Sequence, residues 1–226
     1  MKPVAVVTGA SKGIGRAIAL RLSPEYDIVA LARSEGALRS LGAQIAGEGG
    51  RCTAIDVDLR DASAIATALT GISCDVLVNN AGVMHRKPFI DITPDEWAEM
   101  MDVNVNALYH VTRALLPGMI AQGRGHVVNI SSIAGRNTFL GGSGYAATKH
   151  AVQAFSECLM LEVREYGVKV SNVMPGSVAT ELSPGGSKVE WALRSEDVAE
   201  VVAQVLSMPA HALTFNVEVR ASLPKK

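Results

Sequence analysis

The chain has 226 residues, 48% of them hydrophobic, and a formal net charge of -1. That length suits one α/β domain with a substantial core and is too great for a mini-domain. The near-neutral balance offers no electrostatic footprint for nucleic acid or an anionic membrane, and no apolar run approaches the roughly 20 residues that span a bilayer.

Residues 3–8 are a short apolar run bounded by turn residues, the pattern of a buried parallel strand rather than a signal peptide. Thr8-Gly9-Ala10-Ser11-Lys12-Gly13-Ile14-Gly15 follows directly. Ile14, Ala17, Ile18 and Leu22 then recur at helical spacing until Ser23-Pro24. A strand, a glycine-rich turn and a helix N-terminus make an anion site, because glycines admit a pyrophosphate to the backbone and unpaired amides stabilise its charge.

Residues 27–32 are a second strand with Arg33 at its exit. Ser34 is placed to cap a helix carrying Leu38, Leu41 and Ile45. Strands are expected at 51–56 and 75–79, with a small-residue helix after Asp58-Leu59 and the turn Asn79-Asn80-Ala81-Gly82 closing the latter strand. Thr93-Pro94-Asp95-Glu96 is a capping-box helix start, and the helical pattern runs on to about residue 122 through Asn104. Further strands are expected at 125–131, ending in Ser131-Ser132, at 168–173 before Pro175-Gly176, and at 213–219. Ser195, Glu196 and Asp197 open the last helix. Alternating strands and helices imply a single Rossmann-type domain over 1–226, a doubly wound parallel sheet of seven strands with helices on both faces.

Cys52, Cys74 and Cys158 are odd in number and widely spaced, and read as small buried side chains in a reducing, cytoplasmic setting. The five histidines are scattered without metal-ligand spacing, so no metal site is expected.

Tyr145-Ala-Ala-Thr-Lys149 carries the chemistry. Residues four apart share a helix face, with Cβ atoms roughly 5–6 Å apart. A free phenol titrates near pH ~10, and a fixed ammonium beside it pulls that value toward working range. The pair is a candidate acid/base for a carbonyl or an alcohol.

These motifs form an ordered set: Thr-Gly-x-x-x-Gly-x-Gly at 8–15, Asn-Asn-Ala-Gly at 79–82, then Asn104, Ser132, Tyr145-x-x-x-Lys149 and Pro175-Gly176. The chain resembles the classical short-chain dehydrogenase/reductases, in their NADP-preferring type, from Lys2 to about Arg220. It departs from them at Asn216-Val217-Glu218-Val219-Arg220, which lacks the family's Asp-Gly-Gly ending.

The resemblance implies roles. Tyr145 is the proton donor, Lys149 lowers its pKa and holds the ribose hydroxyls, Ser132 hydrogen-bonds the substrate oxygen, and Asn104 anchors a water that links Lys149 to solvent. Ser131 rivals Ser132, and only the family spacing favours Ser132. On the cofactor side, Gly9, Ser11, Gly13 and Gly15 shape the pyrophosphate site with an amide from Ile14. Asp58 and Leu59 approach the adenine, Asn80, Ala81 and Gly82 form the floor beneath the ribose, and Pro175, Gly176, Val178 and Thr180 meet the far end of the nucleotide. Asp58 reads equally well as a helix N-terminal acid.

NAD specificity in this fold usually needs a carboxylate at the exit of the second strand. Here the exit reads Leu31-Ala32-Arg33-Ser34, and Lys12 adds a second cation, so NADP(H) is favoured with NAD(H) as the alternative. Glu35 is placed to offset part of that charge. A short segment at about 177–194 is expected to cover the substrate. Met84, His85, Ile133, Arg136, Phe139, Leu140, Val178, Leu182 and Trp191 are its expected neighbours, mostly apolar, with Arg136 admitting a keto or hydroxy acid.

The function expected is interconversion of a carbonyl compound and an alcohol. The rivals are a catalytically silent nucleotide-sensing protein of the same fold and an epimerase that consumes no net cofactor. The helices at 94–122 and 144–166 carry more apolar residues than one sheet face needs, which predicts self-association as a dimer or tetramer.

Overall fold

The computed structural model describes residues 2–182 and 190–223, so residues 183–189 of the expected covering segment lie outside the described residues. Among the described residues the strands are β1 (Val4–Thr8), β2 (Asp27–Ala32), β3 (Cys52–Asp56), β4 (Val76–Asn79), β5 (Gly125–Ile130), β6 (Val168–Pro175) and β7 (Asn216–Val219). They form one seven-stranded parallel sheet in the order β3-β2-β1-β4-β5-β6-β7. The helices are α1 (Gly13–Leu22), α2 (Glu35–Gly47), α3 (Ala62–Ala68), α4 (Pro94–Met101), α5 (Ala107–Gln122), α6 (Ser143–Val163) and α7 (Ser195–Leu206).

Side chains of a strand alternate between faces, so a sheet covered on both sides needs apolar residues at every position. Ala5 and Val7 of β1 and Ile28 and Ala30 of β2 meet Ile18 of α1, Leu41 of α2 and Val202 of α7. Val6, Leu31 and Leu77 face the other way, against Ile65 of α3, Val111 and Leu115 of α5 and Leu159 of α6. Each fully buried Val, Leu or Ile among them contributes about 1.5–3 kcal/mol. The strand order reverses at β1, whose neighbours are β2 and β4. Such a reversal opens a crevice at the carboxyl ends of the strands.

Several local expectations are corrected. The long helical pattern is two helices joined by a wide π-turn at Asp102–Asn106. The extra residue in that turn rotates Asn104 into the core, where it is 1% exposed. β6 continues to Pro175 because its ladder with β5 ends at Val173, so proline's missing N–H breaks no bond on that side. Ser34 makes no capping hydrogen bond at the start of α2. Cys74 is buried and its thiol is pushed up to about 12 by desolvation, but Cys52 is half-buried and Cys158 is exposed.

Candidate active site

The crevice is a cavity of about 1230 Å³ that joins the glycine turn, the exits of β2 and β4, the loop after β5 and the start of α6. Its floor is tied by side chains at the reversal point. Thr8 Oγ1 accepts from the backbone N–H of Asn80 (2.9 Å) and Ala81 (3.1 Å), and Asn80 Nδ2 donates to Thr8 O (2.9 Å). Gly15 does not line the cavity. It lets α1 approach this knot, since a Cβ there would lie 2.4 Å from both Asn80 Nδ2 and Gly9 O. Gly13, at φ +54°, sits where an added Cβ would be 3.6 Å from Thr180 Cγ2, so the glycine turn and the segment after β6 face each other. No side chain caps α1 at Lys12, which leaves its first amides to meet an anion.

Gly9, Ser11, Lys12, Gly13 and Ile14 line the cavity at this end, with Arg33, Ser34, Asp58 and Leu59 beside them. Asn80, Ala81 and Gly82 line its middle, and Pro175, Gly176, Val178 and Thr180 the opposite wall. Asp58 is held down to about 2, first by its hydrogen bonds with Arg60 and last by the nearby charge of Arg33. The N-terminal acid of α3 is Asp61 instead, whose carboxylate accepts from the amides of Ser63 and Ala64. Two ion pairs adjust the charge expected at the β2 exit. Lys12 pairs with Glu181, and Glu35 is engaged by Arg39 rather than by Arg33.

Ser132, Tyr145 and Lys149 meet on the cavity wall. The Ser132 hydroxyl is close enough to the Tyr145 phenol to lower its pKa, and the amide of Ala134 donates to Ser132 Oγ at 3.1 Å, so the hydroxyl hydrogen is not spent on that amide. Ser131 lines the same cavity, but its Oγ has no hydrogen-bond partner among the described residues. Lys149 Nζ lies 5.7 Å from the Tyr145 ring centre and donates to Ile130 O at 2.9 Å.

The electrostatics differ from the simple pairing. Burial pushes the phenol above its ordinary value, and the nearby Ser132 hydroxyl pulls the other way. Desolvation lowers Lys149 to about 8, so its own charge is poised near neutrality. Asn104 stands behind this group. Its Oδ1 accepts from Val83 N (2.7 Å), and its Nδ2 donates to Val83 O (2.9 Å) and Thr148 Oγ1 (3.0 Å). Together with Lys149, Thr8 and Asn79 it lines a small buried chamber beside the main cavity.

Of the substrate neighbours expected from the sequence, Met84, Ile133, Phe139, Val178 and Leu182 line the cavity. The others do not. Arg136 is paired with Glu218 at 3.3 Å, His85 with Glu99 at 2.7 Å, Leu140 is 92% exposed, and Trp191 lies outside the wall. Arg86, Asn137 and Thr138 line the cavity and went unpredicted. They belong to irregular segments where no periodicity marks which side chains turn inward.

The profile of the short chain dehydrogenase family matches residues 3–190. A glycine betaine reductase of Emericella nidulans is 36% identical over 228 residues, covering 92% of this chain but only 18% of that protein. An uncharacterized oxidoreductase of Staphylococcus epidermidis is 33% identical over 224 residues, 96% of each chain. A metagenomic short-chain oxidoreductase solved in complex with NADP superposes with a TM-score of 0.87, at 38% identity over 98% of both chains.

Proposed function

Since the chain belongs to the short-chain dehydrogenase family, we propose that it interconverts a carbonyl compound and an alcohol with NADP(H) as its cofactor. The observation that carries this reading is that Ser132, Tyr145 and Lys149 share one wall of a cavity that also opens onto the glycine turn, with Lys149 Nζ 5.7 Å from the Tyr145 ring centre. When bound, the nicotinamide supplies or accepts the hydride. In the reducing direction Tyr145 gives its phenolic proton to the substrate oxygen. Ser132 donates a hydrogen bond to that oxygen, a contact that strengthens as negative charge develops. Lys149 in its charged form stabilises the phenolate left behind, and Asn104 holds the first turn of α6 that carries both.

The residues present fit the dinucleotide. The uncapped amides of α1 and the glycine turn suit a pyrophosphate, and Lys149 suits the ribose hydroxyls. Arg33 makes no ion pair among the described residues and lines the cavity at the exit of β2, which supports NADP(H) over NAD(H). The NADP bound to the metagenomic relative agrees with that choice.

The test is NADPH consumption with a panel of ketones and aldehydes, followed by ultraviolet absorbance, with Tyr145→Phe as the control. A panel that is turned over by wild type and not by the variant supports the reading. NADPH binding without turnover of any carbonyl would favour the silent sensor instead.

A further inference from the structure

Arg86 is a cation on the segment leaving β4, and it lines the cavity with Met84 and Phe139. Its guanidinium carbon stands 5.4 Å from the centre of the Phe139 ring. Stacking of this kind restrains the side chain while leaving the N–H edge of the fork for a planar acceptor. The backbone fixes the same place, since Lys87 N donates to Gly141 O at 3.1 Å and so ties this segment to the loop before α6.

The acids nearby are already engaged by the residues on either side. His85 hydrogen-bonds Glu99, and Lys87 pairs with Glu96. Arg86 itself has no carboxylate partner among the described residues. The carboxylates in the cavity wall, Asp58, Glu181 and Glu196, come from other segments, and the first two are matched by Arg60 and Lys12. The arginine that the sequence offered for an acidic substrate, Arg136, is held by Glu218 outside the wall.

We propose that Arg86 docks a carboxylate of the substrate, so that the chain acts on keto acids and hydroxy acids whose acid group lies at the end remote from the reacting carbon. This rests on the oxidoreductase reading above. A carboxylate accepts two parallel N–H bonds from a guanidinium fork, whereas an ester accepts one weaker bond and carries no charge.

The experiment compares kcat/KM for a series of straight-chain keto acids and their methyl esters in wild type, Arg86→Gln and Arg86→Lys. Wild type should prefer the acid by about tenfold or more at the best chain length. Arg86→Gln should erase that preference through KM for the acid, with KM for the ester shifted far less and NADPH affinity unchanged, and Arg86→Lys should keep part of it. Equal use of acid and ester by wild type, or a preference that survives Arg86→Gln, would overturn the assignment. If no carbonyl compound is turned over, the oxidoreductase reading fails, and the acid site is read separately by calorimetry. Short straight-chain carboxylates are then titrated into the NADP⁺-saturated protein. Binding about tenfold weaker in Arg86→Gln upholds the site, and absent or unchanged binding overturns it.

Discussion

The amide nitrogen of Asn104 donates to the hydroxyl of Thr148 at 3.0 Å, joining the π-turn to the first turns of α6, 44 residues away. Thr148 passes the link on by donating to Tyr145 O at 2.7 Å. The helix that carries the phenol and the ammonium is thereby held from outside its own hydrogen-bond ladder. Replacing Asn104 with Ala removes three hydrogen bonds, two to the half-buried backbone of Val83 and one to the buried hydroxyl of Thr148. The variant should lose about 3 kcal/mol of stability and at least about tenfold in kcat. Thermal denaturation and steady-state kinetics check both, and an unchanged melting point would refute the positioning role.

Tyr145→Phe should reduce turnover to a few per cent or less, with NADPH affinity nearly unchanged, because the phenol's proton is removed and little else. Ser132→Ala should cost about 10²–10³ in kcat, the usual loss for one oxyanion donor. Lys149→Met should damage both turnover and NADPH affinity. Fluorescence titration beside the kinetics separates the three, and normal cofactor affinity in Lys149→Met would remove its ribose role.

Arg33→Asp should weaken NADPH and spare or improve NADH. Each charged hydrogen bond contributes roughly 1.5–3 kcal/mol, so the preference should shift by at least about tenfold. Glu181 competes for Lys12 in the described structure. Glu181→Gln should therefore tighten NADPH while leaving NADH alone. A wild type that prefers NADH in kcat/KM would show that the β2 exit does not select the phosphate.

His126 is buried, and burial holds its imidazole down to about 4 from an ordinary 6.5. Ser171 gives its hydrogen to Thr214 O at 2.6 Å, so His126 Nε2–H is the donor in the 2.8 Å contact with Ser171 Oγ. Between pH 6.5 and about 4 the unfolded chain binds a proton that the folded chain refuses. Stability contributed by the neutral ring is complete above that window and falls with pH through it, by on the order of 3 kcal/mol. Urea unfolding of wild type and His126→Gln across the window should show a steeper loss in wild type. Parallel curves would sink the assignment.

Self-association is expected at the outer faces of α4, α5 and α6. Trp97 is 40% exposed, Tyr109 45% and Leu161 53%, while Val152 and Leu159 of α6 are buried. Leu161→Glu should shift the chain toward monomer in sedimentation at micromolar concentration. A compact monomer in wild type would refute the expectation.

The architecture was legible because its signals are local. Strand residues apolar on both faces, the glycine turn before Ile14, and the phenol–ammonium spacing of Tyr145 and Lys149 are all set within a few residues of chain. What lay beyond sequence was every property that depends on distant partners. A periodicity through residues 94–122 does not announce a π-turn, because the extra residue is stabilised by Val83 and Thr148 bonding to Asn104. Nor does it say which arginine faces the cavity. Arg136 is held by Glu218 of β7, and Arg86 is left to Phe139, because charges are paired in space across 82 residues of chain rather than along it. The same holds for the acid/base pair. Sequence spacing brings Lys149 beside Tyr145, but burial, which only the folded sheet and loops impose, raises the phenol and lowers the ammonium.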